Sequence, residues 1–509
     1  MPVKEECGVA AIYLKDYDKK HLVPEFLYSM LFTMQPRGQL SAGVSTFNPF
    51  NTGSEKRLKI LKEPGRVNDL FKISDHEEYT KRVEYLKGIA GIGHVRYLTS
   101  GKGKGKIEIA DEAQPFLRDH GRPWKRFSIA YNGNIANYES LREAILGDGY
   151  ILDTNVDTEI IMHHISLSLK KLSKAANEQK PELSSVVEEV MGQLDGSYSV
   201  VSLFADGNLL VFRDPLEMKP LVWGENKDFY AVASESTALE KIGISKFYPV
   251  QGGSCIIFNQ QGRLEKQIKK SDKKARCHFE WVYFSRASSV IDGVSVNGAR
   301  ERLGNNLAIA DPLVPKINSN PREYVVVPVP NTAVAAAEAY AQRLGVRFSL
   351  AITKTEGQRG FINKEEEREL IMNREYNIIS ERVKDKRVIL FEDSIVRGET
   401  AKKIVAMVRN AGATEVHLRS TDCPIRHPCC YGIDMSKYKE LIANRFPENT
   451  EDNIATYLDA DSVVYQTQKG LVDAIGFPED EICLACLNGN YPTPAGVEFG
   501  KKRMKEDKF

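Results

Sequence analysis

The chain lacks any charge of one sign to organise it: 70 Lys and Arg stand against 69 Asp and Glu in 509 residues, a net charge of +1. No basic field invites nucleic acid, and no acidic excess suggests disorder. No apolar run reaches the roughly 18 residues of a membrane span. The opening residues, MPVKEECGVAAIYL, lack the basic start, long apolar core and small-residue cleavage site of a secretory signal. Cysteine is sparse, with eight residues at 7, 255, 277, 423, 429, 430, 483 and 486. In a large chain without such a signal they point to metal binding, catalysis or burial before disulfides. A cytoplasmic protein is expected, with small-molecule partners, no nucleic acid and no membrane. Its length implies two or more domains with substantial cores.

What is present is organised around VILFEDSIVRGETAKKIV, residues 388 to 405. Val388 to Phe391 reads as a buried parallel strand with Glu392 and Asp393 at its carboxyl end. A short loop, Ser394 to Thr400, leads into a helix with Ile404, Val405 and Val408 on one face. Ligands of open α/β sheets bind outside the carboxyl ends of strands, and helix-start N–H groups favour phosphate. The acidic pair is placed to take ribose hydroxyls, directly or through Mg²⁺. A strand, turn and helix with a solvated acidic pair is the plain alternative.

This stretch resembles the ribose-phosphate motif of the type I phosphoribosyltransferases, and SIVRG resembles the amidophosphoribosyltransferases in particular. The resemblance implies that Glu392, Asp393, Ser394, Ile395, Val396, Arg397, Gly398, Glu399 and Thr400 bind phosphoribosyl pyrophosphate (PRPP), with Lys354 and Arg359 from a lid. It also demands an N-terminal glutaminase with a cysteine nucleophile and, in many members, four cysteines around an iron–sulfur cluster.

Short alternating runs between residues 7 and about 265 read as antiparallel strands, with helices near 24–34, 138–147, 157–173 and 182–194. Together they suggest a layered α+β domain. The polar stretch 51–88 is expected to be an irregular surface segment. Cys7, at a strand start, is by spacing alone a small buried residue. ECGVAAIY, however, resembles the start of the class II glutamine amidotransferases, which have the Ntn-hydrolase αββα sandwich. That implies a glutaminase domain over 7–268 and a propeptide, 1–6, removed autocatalytically. The freed amine of Cys7, with a reference pKa of about 7.7–8.0, would then be the base for its own thiol.

Further motifs follow in the family's order. MQPRGQLSAG (34–43) resembles its Arg-Gly-Gln turn, with Pro36 in place of a usual His. In GHVRYLT (93–99), Arg96 would clamp the glutamine α-carboxylate, with Thr99 beside it. In YNGNIANY (131–138), a turn signal in itself, the Asn132 side chain and the Gly133 N–H would form an oxyanion hole. Asp157, otherwise an N-cap, would take the α-ammonium group. RDPLEMKPL (213–221) departs from the family at Glu217 and Lys219, and ASES (233–236) follows.

Alternating strands and helices after residue 277 argue for a doubly wound, mainly parallel sheet, with a phosphoribosyltransferase domain over 269–495. VPVPNTA (327–333) stands at the family's pyrophosphate loop, where Thr332 would hold Mg²⁺ with Glu392 and Asp393. KTEGQRGFI (354–362) resembles the family's lid, expected over 354–376, but has Gly360 where Thr is usual. Its acids Glu365 to Glu367, and Glu399 in the phosphate loop, are unfavourable beside a polyanion. By residue type CLAC (483–486) could be a zinc knuckle, a redox pair or core. By resemblance, Cys277, Cys429, Cys483 and Cys486 hold a [4Fe–4S] cluster, although four thiolates also suit zinc. Cys430, Cys423 and Cys255 are expected spectators; the tail is taken as 496–509, with its basic stretch 499–509 expected to fray.

The implied activity is transfer of glutamine-derived ammonia to PRPP, giving 5-phosphoribosylamine, glutamate and pyrophosphate, the first committed step of purine synthesis. Purine nucleotides are implied inhibitors, and a homodimer or homotetramer the implied assembly. The altered lid and Glu399 motivate two alternatives. One is a weakened paralogue that binds PRPP or nucleotides as a regulator. The other is an amidotransferase using a different phosphoribosyl donor.

Overall fold

The computed structural model describes residues 7–51, 56–97, 106–175, 177–354, 376–435 and 437–506. The first half is built on two stacked antiparallel sheets. One has seven strands in the order Phe247–Pro249, Val222–Glu225, Phe229–Ala233, Gly8–Leu14, Ala90–Arg96, Ser41–Phe47 and Leu58–Pro64. The other has six, in the order Gly262–Gln267, Ser254–Asn259, Leu209–Arg213, Gly196–Phe204, Phe127–Ile135 and Phe116–Arg118. Their central strands are apolar on both faces, and the period of two sorts the side chains into separate cores. In Gly8–Leu14, Val9, Ala11 and Tyr13 pack between the sheets with Val201, Leu203 and Ile256. Ala10, Ile12 and Leu14 face outward against the helix Val23–Thr33 through Leu27, Met30 and Leu31. The outer face of the second sheet is covered by Tyr138–Gly147, Asp157–Ala175 and Leu183–Gln193. Ile160, Ile161, Ile165 and Leu169, spaced for one helix face, carry much of that contact. The result is the expected αββα sandwich.

The second half carries a five-stranded, all-parallel sheet in the order Arg347–Phe348, Tyr324–Pro328, Arg387–Glu392, Glu415–Ser420 and Ser462–Tyr465. Numbered along the chain this is 2-1-3-4-5, which places a topological switch point beside the first strand. Both faces are covered. Val325, Val388 and Leu390 pack under the helix Glu399–Asn410, and Val326, Ile389 and Phe391 under Val334–Leu344. Each fully buried branched side chain contributes about 1.5–3 kcal/mol. A third core gathers Phe279, Trp281, Leu303 and Leu484. There Arg276–Cys277 pairs in parallel with Ile482–Cys483, joining the start of this half to its end.

Two expectations are corrected. The stretch 51–88 contains the edge strand Leu58–Pro64 and the helices Val67–Phe71 and His76–Tyr85. Its polar composition reflects a strand with one neighbour and a helix with no buried residue, held on by Val67, Leu70 and Phe71. The tail is not frayed at its start: Pro494–Glu506 is a helix whose Gly496 and Gly500 fit against Tyr431 and Tyr491.

Candidate active sites

Cys7 lies at the head of a central strand, buried at 5% exposure, its thiol between the N–H (3.4 Å) and the carbonyl (3.6 Å) of Tyr97. Pairing of Gly8 with Val95 brings the end of Ala90–Arg96 beside it, so Arg96 arrives in the same place. Arg96 is buried and bound by Glu112 at 2.7 Å. The second sheet contributes Phe127–Ile135, the strand that carries Asn132 and Gly133. The Asn132 side chain is 1% exposed, and its amide nitrogen has no hydrogen-bond partner among the described residues. A donor buried in that way costs about 1–3 kcal/mol, which is tolerable at a site that awaits an acceptor. Gly133 has φ +149°, and a Cβ there would run into the carbonyl oxygen of Ser197. Only glycine fits.

Asp157 opens its helix and accepts the N–H of Ile135 at 3.2 Å, so it holds the strand that carries Asn132. Sequence reasoning missed Tyr131. Burial, then Asp157 and Cys7, raise its hydroxyl well above the usual tyrosine range, placing it among the proposed nucleophile and substrate contacts. Below it, His94 meets the Tyr131 carbonyl at 3.1 Å, and burial together with Arg96 lowers its pKa to about 3. His94 is a neutral support for the strand. YNGNIANY drew notice only to Asn132 and Gly133, and nothing in the sequence marked Tyr131 as polar machinery. Thr99 lies outside the described residues, as do 1–6.

The second site stands at the switch point, just beyond Pro328 and Phe391, the last paired residues of neighbouring strands. Asp393 accepts hydrogen bonds from Thr332 of the adjoining loop and from Ser394 at 2.9 Å. Burial, reinforced by Asp393, drives the Glu392 carboxyl well above its usual range, and burial raises Asp393 too. The loop Ser394–Gly398 closes through Gly398 at φ +81°, then Glu399 starts the helix. Ile395 and Val396 are buried and anchor the loop, while Arg397 pairs with Glu440 at 2.9 Å. Glu399 is exposed in the first turn, where the helix dipole favours an acid, so its carboxylate is less adverse than sequence suggests. The Thr400 hydroxyl is buried without a hydrogen-bond partner among the described residues. Lys354 ends the strand Ile352–Lys354, and its ammonium lies 5.9 Å from the Tyr376 ring. Arg359, with lid residues 355–375, lies outside the described residues.

Between the two halves is an apolar cavity. Cys277, Cys429, Cys483 and Cys486 all line it, with Lys219 and Tyr431, while Cys430, Cys423 and Cys255 do not. Cys277 and Cys483 face each other in strand register, and the Tyr431 N–H donates to the Cys429 sulfur at 3.2 Å. Burial pushes the Cys483 thiol up to about 12 and Cys486 well above its usual range. Among the described residues no three His, Cys, Asp or Glu side chains form a group able to hold a metal ion. The thiols surround a space and not a point. The two departures in RDPLEMKPL also find places: Lys219 lines this cavity, and Glu217 binds Arg276 at 2.6 Å and Lys274 at 2.9 Å.

Residues 104–241 match the family model described as a glutamine amidotransferase domain, and 302–459 the one described as a phosphoribosyl transferase domain. The amidophosphoribosyltransferase of Methanothermobacter thermautotrophicus is 35% identical over 97% of this chain and 95% of its own length. That of Bacillus subtilis is 33% identical over 99% and 98%. The structure resembles the solved glutamine PRPP amidotransferase from B. subtilis, complexed with ADP and GMP, with TM-score 0.80 and 31% identity over 96% of this chain and 98% of that one. No helix among the described residues is long and apolar enough to cross a membrane. These relatives favour the coupled enzyme, a glutamine amidotransferase and pentosyltransferase, over the regulator and other-donor readings. Both halves match along nearly their whole length, and the chain belongs to the amidophosphoribosyltransferase family.

Proposed function

We propose that Cys7 is the nucleophile that takes ammonia from glutamine, and that the loop 392–400 binds the PRPP that receives it. The thiol attacks the glutamine amide carbon. Asn132 Nδ2 and the Gly133 N–H hold the developing oxyanion, and the amine freed by loss of residues 1–6 moves the proton to the departing ammonia. Water then hydrolyses the thioester to glutamate. Arg96 and Thr99 would bind the substrate's α-carboxylate and Asp157 its α-ammonium, with Arg96 exchanging Glu112 for the substrate. The observation that carries this reading is the buried, partnerless Asn132 amide in the sandwich headed by Cys7.

At the second site the Thr400 hydroxyl and the loop N–H groups would take the 5-phosphate. Ammonia attacks C1 of PRPP, and the C1–O bond to pyrophosphate breaks. Glu392 and Asp393, with Thr332, would hold Mg²⁺, whose charge offsets that of the leaving pyrophosphate. Lys354 and Arg359 would meet the same phosphates. The four cavity cysteines fit a [4Fe–4S] cluster better than zinc, because thiolates on one zinc stand about 2.3 Å from it and must converge. Its service would be structural, holding the ends of the second half together. Cysteines suited to metal binding rather than to disulfides support a cytoplasmic location. Purine nucleotides would act as inhibitors, supported by the nucleotides in the B. subtilis relative's structure. A homodimer or homotetramer is checked by light scattering.

Protein purified without oxygen would be assayed for glutamate and pyrophosphate in one tube, with and without PRPP and Mg²⁺. Matched, PRPP-dependent release of both, absent in Cys7→Ala, is the expected result. Glutamate release indifferent to PRPP, with no pyrophosphate, would overturn the assignment of the second site.

A further inference from the structure

Three consecutive residues of the loop 394–400 are held from outside by one later segment of the chain, 434–442. The Val396 carbonyl accepts the N–H of Ile442 at 2.8 Å. Arg397 turns its guanidinium to the same segment. Its Nε and Nη2 donate to one carboxylate oxygen of Glu440, at 3.0 and 2.9 Å, and Nη2 also donates to the Asp434 carbonyl at 3.4 Å. The other Glu440 oxygen is 3.0 Å from the Lys437 ammonium. Gly398, at φ +81°, lies against Ile442, and a Cβ there would come within 2.4 Å of Ile442 Cδ1.

The gripping segment is itself fixed. Ile442 is fully buried and opens the short helix Ile442–Arg445. Asn444 donates to the carbonyls of Tyr438 (3.1 Å) and Arg426 (2.7 Å). Arg426 donates back to the Ala443 carbonyl (3.1 Å) and to the Thr450 hydroxyl (2.9 Å). The half-buried Arg397 therefore meets a firm partner. A guanidinium forks onto a phosphate through Nη2 paired with either Nε or Nη1. Both Nη2 protons of Arg397 are engaged, by Glu440 and by Asp434, so neither fork is open.

We propose that Arg397 is a positioning residue that braces the loop against Glu440, and that the 5-phosphate is bound without it, by the loop N–H groups and Thr400. The proposal rests on the assignment of the 392–400 loop to PRPP given above. Backbone N–H groups hold an anion best when their directions are fixed beforehand. The 434–442 segment fixes the loop at Val396, Arg397 and Gly398, the three residues that lead into its helix. The arginine of the motif thus supplies shape, and its charge is spent on Glu440.

The test follows pyrophosphate release from PRPP and Mg²⁺, with ammonium salt replacing glutamine, in the intact enzyme and in Glu440→Gln, Arg397→Lys and the double variant. Glu440→Gln should raise KM for PRPP about tenfold while KM for ammonium stays at the parental value. Arg397→Lys should match it, because a single ammonium cannot reproduce the fork that spans Glu440 and the Asp434 carbonyl. The double variant should be no worse than the poorer single one. A KM for PRPP that is unchanged or lowered in Glu440→Gln, yet raised in Arg397→Lys, would overturn the proposal and make Arg397 a phosphate ligand that Glu440 restrains. So would a KM for ammonium rising in parallel, which would mark a general loss of structure. A parent with no PRPP-dependent pyrophosphate release would overturn the assignment of the loop, and this proposal with it.

Discussion

The two sites differ in how far they are finished before substrate arrives. Around Cys7 the groups are buried and fixed: Gly133 admits no side chain, Asp157 holds the strand, and Asn132 is aimed with nothing to bind. At the switch point the acids Glu392 and Asp393 are held toward their neutral forms by burial. They can bind a cation only by giving up protons. The first site is preorganised for a substrate with a neutral reacting amide. On the proposed reading the second would be completed by the charge its ligand brings, which ties binding there to pH and metal.

This contrast can be broken most sharply at Cys7. Cys7→Ala should remove glutamine-supported pyrophosphate release while ammonia-supported release persists, followed with a coupled pyrophosphate assay. Next in size, Asn132→Ala should lower kcat for glutamate release by about 10²–10³ with little change in KM. A rate unchanged there would mean that its buried amide serves folding alone. Thr400→Val removes a hydroxyl poised for a charged group, worth about 1.5–3 kcal/mol, so KM for PRPP should rise about ten- to a hundredfold in steady-state kinetics.

The smallest effect concerns stability. Because the folded-state pKa of Glu392 is raised, its contribution is fully present below the ordinary glutamate pKa and is lost as pH rises through the folded value. Metal-free protein should therefore melt at lower temperature as pH increases across that window, and Glu392→Gln should flatten the dependence. Melting curves at a series of pH values, in parent and variant, decide it. Iron and acid-labile sulfide should also fall together in Cys486→Ser, whereas zinc in the parent would reverse the cluster assignment.

Much of this was legible because each site sits where a strand ends. Apolar runs followed by EDSIVRGET or preceded by Cys7 announce both a sheet and its functional edge, and the residues are close in sequence. The edge strand Leu58–Pro64 was not legible, because pairing on one side leaves its side chains, Lys59, Lys62 and Glu63 among them, half-buried and its composition polar. Lys62 is nonetheless held by the carbonyls of Asp111 and Ala113. The Arg37–Glu280 pair was hidden for a different reason. A buried ion pair between residues 243 apart leaves no period or spacing to read, and each partner alone resembles a surface charge. Tyr131 belongs to the same class, since its role follows from what lies across from it.

The pairing of Arg276–Cys277 with Ile482–Cys483 bears on the order in which the protein is made. The strand that carries Asn132 and Gly133 is braced by the late chain: Asn134 donates to the Cys430 carbonyl at 2.9 Å and Ser197 to that of Tyr431 at 2.8 Å. N-terminal domains fold first during synthesis, so the sandwich emerges from the ribosome long before those braces exist. A nascent chain that has not reached Cys486 holds Cys7 but not the full support of the late chain. The strand that carries Asn132 and Gly133 therefore gains its last two braces only when the second half of the chain has been made.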